Sequence, residues 1–320
     1  MKAAIVHSFD APPRYDTFAE PVVGEGELLV EVTAAGLHPI VKSLANGTHY
    51  GSTGELPFIP GVDGVGRLPD GSRVYFGISR PPFGTFAPYA LANRAMCLPL
   101  PEALPDAIVA AIANPGMSSW AALKGRAQMV EGESVLILGA TGVAGRLAVQ
   151  IAKRLGARRV VAAGRNPKML EKLPGLGADA VFSLDQEHDA VVAAFRQAWA
   201  DGGVDVVLDY LWGEPAERLL AAVSRKGLQH KAARLRYIQV GASAGSNISL
   251  PAATLRSSGL ELLGSGFGSA SLEGLRQSIA EFLKQAATTP FVFETETAPL
   301  RDVEALWNRP EKTARLVFQP

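Results

Sequence analysis

An apolar run leads here into a glycine-rich turn whose spacing suits a phosphate. Val135-Leu136-Ile137-Leu138 precedes Gly139-Ala140-Thr141-Gly142-Val143-Ala144-Gly145, and the stretch from Arg146 to Leu155 repeats apolar residues at Leu147, Ile151 and Leu155. The run reads as a strand, and the four-residue recurrence reads as a helix with one face on a sheet. Between them, Ala140, Gly142 and Gly145 occupy the three positions of a dinucleotide-binding fingerprint. Small residues let the turn close tightly and the backbone approach a pyrophosphate, and Gly145 lets helix and strand pack closely. The N–H groups that open a helix have no intrahelical acceptor and attract phosphate charge. Thr141, Val143 and Ala144 complete the expected contact loop. A P-loop is excluded, because Arg146 rather than lysine follows Gly145.

The second informative stretch follows the next strand. Arg159-Val160-Val161-Ala162-Ala163 ends at Gly164-Arg165-Asn166-Pro167-Lys168. An NAD site places Asp or Glu about 20 residues past the glycines, on the ribose 2′-hydroxyl. No carboxylate stands in this turn; Arg165 does, with Lys168 close behind. A guanidinium suits a 2′-phosphate. One hydrogen bond to a charged group is worth about 1.5–3 kcal/mol, or about ten- to hundredfold in affinity. The predicted cofactor is therefore NADPH rather than NADH, with Gly164, Arg165, Asn166 and Lys168 at the ribose phosphate.

Elements able to position such a site are present. A chain of 320 residues exceeds one ordinary core and predicts two domains, and its 48% hydrophobic content predicts a packed interior. Zero formal charge argues against nucleic acid or an anionic membrane as partner. The single cysteine, Cys97, excludes an intramolecular disulfide and any multi-thiolate zinc site, and is expected to be buried as an apolar residue. Met1 to Asp10 carries too short an apolar run for a signal peptide. The longest low-charge stretch, Ala107 to Leu123, is expected to break at Pro115-Gly116, short of the about 20 apolar residues of a membrane span. A cytoplasmic protein is expected.

Residues 1–117 read as short strands, among them 28–34 and 72–76, punctuated by Gly and Pro, which predicts a barrel-like β domain. Residues 118–255 alternate strands (134–138, 159–163, 180–183, 204–209, 236–241) with helices (142–156, 187–200, 214–225). That alternation predicts a Rossmann domain, a doubly wound parallel sheet with helices on both faces. Residues 256–320 add a helix near 271–287 and a strand at 314–318, and are expected to return to the first domain. The fold class is thus α/β with a second, β-barrel domain.

The chain resembles the medium-chain dehydrogenase/reductase superfamily, and within it the zinc-independent quinone oxidoreductases. The residues that carry the likeness are Met1-Lys2-Ala3, Ala34-Ala35-Gly36-Leu37-His38-Pro39, Pro60-Gly61-Val62-Asp63-Gly64-Val65-Gly66, Asp70-Gly71-Ser72-Arg73-Val74 and Gly84-Thr85-Phe86-Ala87-Pro88-Tyr89, together with the glycine motif. The resemblance implies a GroES-like catalytic domain around the Rossmann domain. It also marks departures: zinc-dependent relatives carry cysteine where His38 stands and a Gly-His-Glu triplet near Gly61-Val62-Asp63. A catalytic zinc needs about three protein ligands, and His38 and Asp63 supply two at most. The expected enzyme is metal-free and reduces an acceptor that takes hydride readily.

Site residues follow from the same resemblance. Tyr50 stands where quinone reductases place a tyrosine near the nicotinamide, to donate to the acceptor oxygen or stack on a flat substrate. His38 is a second catalytic candidate, and Asn46 and His49 are weaker ones. Ser118 is expected beside the nicotinamide and phosphate. Asp209 to Gly213 ends the fourth strand of the parallel sheet, where ligands bind. Gly241, Ala242 and Ser243 end the next strand, and Gly266 and Phe267 lie in a loop able to cover the nicotinamide. A homodimer joined through edge strands is expected by resemblance. Reduction of a 2-alkenal or enoyl double bond is an alternative, as is an NADPH-binding sensor or structural protein with little turnover. A short-chain reductase fits less well: Tyr15, Tyr50, Tyr75, Tyr89, Tyr210 and Tyr237 all lack the lysine four residues on that its Tyr-x-x-x-Lys pair requires.

Overall fold

The structure, a computed structural model, describes residues 1–224, 233–310 and 313–320. In chain order the strands are β1 (Lys2–Ile5), β2 (Arg14–Thr17), β3 (Glu27–Gly36), β4 (Asp63–Arg67), β5 (Arg73–Gly77), β6 (Tyr89–Asn93), β7 (Cys97–Pro99), β8 (Ser134–Leu138), β9 (Arg159–Gly164), β10 (Ala180–Ser183), β11 (Val206–Asp209), β12 (Arg234–Gln239), β13 (Gly259–Gly264), β14 (Thr295–Pro299) and β15 (Arg315–Gln319). The helices are α1 (Pro39–Ala45), α2 (Asp106–Trp120), α3 (Val143–Arg154), α4 (Pro167–Leu170), α5 (His188–Ala200), α6 (Gly213–Val223), α7 (Ala252–Ser257), α8 (Leu272–Thr288) and α9 (Val303–Leu306). Two compact units emerge: Met1–Asn114 with Ile279–Pro320, and Pro115–Ser278.

In the first unit, β14-β15-β3-β4-β5-β7 form one sheet with β6 also paired to β3, and β1 pairs with β2. The β14–β15 pair is parallel; β15–β3, β3–β4 and β4–β5 are antiparallel. Because β15 lies between β14 and β3, the C-terminal segment must return to complete this sheet. The core it closes includes Phe76, Phe86, Trp307 and Phe318. Phe86 meets Phe318 edge-on at 5.4 Å and Trp307 at 6.2 Å, an arrangement aromatic quadrupoles favour.

In the second unit, six parallel strands run in the order β10-β9-β8-β11-β12-β13. This is the order 3-2-1-4-5-6 of a dinucleotide-binding sheet. Every residue of β8 and β11 is buried, as expected for strands covered on both faces. The expected return at residue 256 is corrected to 279, because 259–264 form β13, the sixth parallel strand on β12, and so stay with this sheet. The expected helix 142–156 stops at Arg154, where Gly156 takes φ +87° and closes the helix end. The strand expected over 236–241 runs two residues earlier, since the Val240 and Gly241 N–H groups both turn onto the Asp209 carbonyl. Residue 225, the expected end of the helix over 214–225, lies outside the described residues. The expected break at Pro115-Gly116 does not occur: α2 runs through Pro115 to Trp120 and continues as a wider turn over Ala121–Arg126. Among the described residues, no helix is long and apolar enough to cross a membrane. Cys97 is half-buried rather than fully buried, and burial pushes its thiol up to about 11.

Candidate cofactor site and catalytic residues

The glycine turn is built by close approach. Gly139, at φ +84°, and Ala140 donate their N–H groups to the Ala163 carbonyl, which ties the turn to the end of β9. Gly142 donates to the Gly139 carbonyl at 3.0 Å and forms the N-cap of α3, with no side chain capping that helix. Gly142 is exposed, so the uncapped N-terminus faces solvent. Gly145 lies under it: a Cβ here would stand 2.2 Å from the Gly139 oxygen and 2.6 Å from the Ala140 Cα. A Cβ at Gly164 would collide with the Thr141 side chain at 2.5 Å. Backbone and small residues therefore fill the space between β8, β9 and α3, and donors are left open where phosphate would sit. These residues fit a dinucleotide.

Arg165 and Lys168 are exposed just past β9 and make no hydrogen bond or ion pair with the described residues. Asn166 acts locally, since its side chain accepts from the Met169 N–H at 3.2 Å and caps α4. On the other side of the β8–β11 junction, the would-be Cβ of Gly139 points at Leu211 from 3.0 Å, so the loop after β11 borders the glycine turn. That junction is the point where strand order reverses, the expected crevice of such a sheet. Gly241, Ala242 and Ser243 follow β12, and Gly266 and Phe267 follow β13, so all lie at the carboxyl edge of the same sheet. Ser243 donates its hydroxyl to the Tyr210 carbonyl at 3.0 Å. Phe267 is 44% exposed. Ser118 is half-buried on α2.

Sequence reading misses Ser119 altogether and marks Asp209 only as part of a strand end, not as the centre of a hydrogen-bond network. Ser119, next to Ser118, is fully buried and bonds the Tyr210 hydroxyl at 2.7 Å. Asp209 is fully buried and accepts from Leu211 N, Trp212 N and the Tyr237 hydroxyl. A signal for Asp209 was present, a carboxylate directly after the buried run Val206-Val207-Leu208.

The catalytic candidates belong to the first unit. Tyr50 is 74% exposed in the loop after α1, its ring tilted 30° on His49 at 4.2 Å. His49 Nδ1 accepts from the Gly51 N–H, and Asn46 Oδ1 accepts from the Thr48 N–H and hydroxyl, so both shape this loop. His38 is not on an open face. It is 1% exposed, its Nε2 lies 3.1 Å from the Ala110 carbonyl, and it stands 3.7 Å from Asp63 Oδ1. Burial first, then the Arg315 charge, hold its pKa well below the ordinary value, so the ring is neutral. His38, the second catalytic candidate, is thus a buried ring at the N-cap of α1 rather than a group on an open surface. Burial pushes Asp63 up to about 7, against the opposing bond from the Tyr75 hydroxyl and the charge of Arg315. Among the described residues, no three His, Cys, Asp or Glu side chains are grouped as a metal would require.

A six-stranded parallel sheet with a phosphate-ready turn at its reversal point, joined in sequence to an antiparallel-rich unit built from both chain ends, defines a nicotinamide-dependent dehydrogenase or reductase of the medium-chain type. Residues 144–287 match the family of zinc-binding dehydrogenases. The chain is 28% identical to a probable NADPH-dependent quinone reductase of Emericella nidulans, covering 100% of both chains, and 30% identical to the human quinone oxidoreductase over 71% of each. Its structure is similar to that of the quinone oxidoreductase of Thermus thermophilus, also solved with NADPH, with a TM-score of 0.81, 28% identity and 100% of both chains covered. The chain belongs to the quinone oxidoreductases of the medium-chain dehydrogenase/reductase superfamily.

Proposed function

We propose that this protein is an NADPH-dependent, zinc-independent reductase that transfers hydride to a quinone. One observation carries the reading: an uncapped, glycine-lined phosphate cradle is followed by Arg165 and Lys168 where a ribose-binding carboxylate would select NAD. The amides of Thr141, Val143, Ala144 and Gly145 bind the pyrophosphate, and Ala140 and Gly142, whose own amides are held by the Ala163 and Gly139 carbonyls, line the turn against it. Arg165 and Lys168, beside Gly164 and Asn166, bind the 2′-phosphate. Ser118, Gly241, Ala242, Ser243, Gly266 and Phe267 bind the nicotinamide half. Bound NADPH supplies the hydride.

A quinone gains negative charge on oxygen as hydride arrives, and the Tyr50 phenol donates a hydrogen bond to that oxygen. The proton that completes the hydroquinone comes through Tyr50 or from water. The zinc named by the matching family does not fit these residues: His38 and Asp63 give two ligands at most, they are engaged by the Ala110 carbonyl and the Tyr75 hydroxyl, and cysteine is absent at both positions. A homodimer is part of the reading. The outer edge of β13 carries no partner strand among the described residues, and Leu262 on it is exposed. Sedimentation as a monomer at micromolar concentration would contradict this. A cytoplasmic location belongs to the same reading, and recovery in the membrane fraction would contradict it.

The test is oxidation of NADPH, with NADH in parallel, against a panel of quinones and 2-alkenals after chelator treatment. Turnover that prefers NADPH and quinones and survives the chelator is expected. Preference for alkenals would move the assignment to double-bond reduction. Tight NADPH binding without turnover on any acceptor would replace the enzyme with a sensor.

A further inference from the structure

The loop after β11 is held in an unusual shape by a group no cofactor contact explains. Trp212 has φ +55° and ψ −159°, a region that residues other than glycine almost never occupy. Gly213 follows at φ +58°, with its would-be Cβ 2.8 Å from the Ala244 carbonyl, so α6 starts pressed against the turn that follows β12. The two loops are joined further: Ala244 donates to the Leu211 carbonyl at 2.7 Å, and the Ser243 hydroxyl to the Tyr210 carbonyl at 3.0 Å.

Asp209 meets this strained turn from below. Its Oδ1 accepts from Leu211 N at 2.7 Å, both its oxygens accept from Trp212 N at 3.1 Å, and its Oδ2 accepts from the Tyr237 hydroxyl at 2.6 Å. The Tyr237 ring also packs edge-on against Trp212 at 6.2 Å. A buried carboxylate aimed at two consecutive amides fixes the path of the chain between them. Burial pushes this carboxyl up while its three donors pull it back.

We propose that Asp209 is a positioning residue for the cofactor: by clamping the Trp212–Gly213 turn in its left-handed shape, it fixes the loops after β11 and β12 before the nicotinamide half binds. The proposal rests on the NADPH reading above. Asp209 itself touches no ligand; it acts through Trp212 and Gly213. Without the clamp, the turn relaxes to an ordinary backbone shape, and binding must first restore the strained one.

The test measures binding of NADPH and of adenosine 2′,5′-bisphosphate, which lacks the nicotinamide half, by calorimetric titration. The proteins are wild type, Asp209→Asn, and each of these with Trp212→Gly or Trp212→Ala. Asparagine offers one acceptor and turns an NH2 donor toward the backbone donors. Asp209→Asn is expected to weaken NADPH about tenfold, equivalent to about 1.4 kcal/mol, and to leave the bisphosphate unchanged. Glycine and alanine lose the same indole packing, but only glycine adopts the turn freely. In the Asp209→Asn background, Trp212→Gly should therefore bind NADPH several-fold tighter than Trp212→Ala, whereas with Asp209 intact the two should bind alike. Equal affinities in the Asn background, or equal losses of NADPH and bisphosphate, overturn the proposal. Should Asp209→Asn fail to fold, Tyr237→Phe removes one of the clamping bonds and carries the same Gly–Ala comparison, with a smaller difference expected and the same overturning result. Wild-type protein that binds neither probe overturns the cofactor reading, and this proposal with it.

Discussion

Replacing Gly145 and Gly142 by alanine, one at a time, separates what holds the glycine turn together from what it binds. At Gly145 the new methyl would lie 2.2 Å from the Gly139 oxygen and 2.6 Å from the Ala140 Cα, both backbone atoms that cannot swing aside. Helix α3 must then move off the sheet, and overpacking of this kind costs about 1–3 kcal/mol. Alanine's better helix propensity offsets up to about 1 kcal/mol of that. Contacts this short with fixed backbone put the cost toward the upper end, so about 1–2 kcal/mol remains, and for a unit of this size the melting temperature should fall by roughly 2–8 °C. Gly142 is the opposite case. Its φ of −74° suits any residue, and its would-be Cβ meets only the Gly139 oxygen, at 3.4 Å. Losing a glycine N-cap costs about 0.5 kcal/mol, so melting should shift by no more than about 2 °C. The methyl nevertheless stands at the open N-terminus of α3, where a pyrophosphate needs the bare backbone. NADPH binding should weaken at least about tenfold, a difference of about 1.4 kcal/mol. Thermal unfolding followed by circular dichroism and NADPH fluorescence titration read the two effects separately. A Gly145→Ala protein that melts with the wild type would refute the packing argument. A Gly142→Ala protein that binds NADPH as tightly as the wild type would refute the phosphate assignment.

Three further outcomes are expected. Arg165→Ala should weaken NADPH by about tenfold or more and leave NADH within about twofold, because the lost charged hydrogen bond serves only the 2′-phosphate; equal losses for both cofactors, measured by titration, would remove that role. Tyr50→Phe should lower quinone turnover at least about tenfold with NADPH affinity unchanged; steady-state rates equal to wild type would reduce Tyr50 to a loop residue stacked on His49. Asp63→Asn should change how stability depends on pH. The Asp63 carboxyl is raised from 3.8 to about 7 in the folded protein, so its contribution is fully present below about pH 4 and is lost as pH rises through about 7. His38, held below its ordinary 6.5, works in the opposite sense, losing its contribution as pH falls below that value. The difference between Asp63→Asn and wild type isolates the carboxylate. That difference should move in favour of the variant by about 1.4 kcal/mol per pH unit between about pH 5 and pH 7 and level off above, about 3 kcal/mol in all by about pH 8. Urea unfolding at several pH values measures it, and a constant difference would show that Asp63 does not titrate there.

Reading the residues in order is enough to specify the parallel sheet, the glycine turn and the basic residues after the second strand. Each is a local pattern: an apolar run, a spacing of small residues, a missing carboxylate about 20 residues on. It made the cofactor class legible for the same reason, since the small residues from Ala140 to Gly145 and the basic Arg165 lie within the short β8–α3–β9 stretch. Tertiary structure decided what depends on residues far apart in the chain. The sixth parallel strand, Gly259–Gly264, joins the cofactor unit only because β12 lies beside it, a pairing its own sequence does not announce. His38 is a catalytic candidate in the sequence, yet burial beside the Ala110 carbonyl and Asp63, with the Arg315 charge acting on it, makes it a neutral buried ring. Asp209 reads as the last residue of an apolar strand, and only the fold brings Leu211, Trp212 and Tyr237 around its carboxylate. Burial and hydrogen-bond partners are set by which elements meet, and no spacing along a single chain encodes that meeting directly.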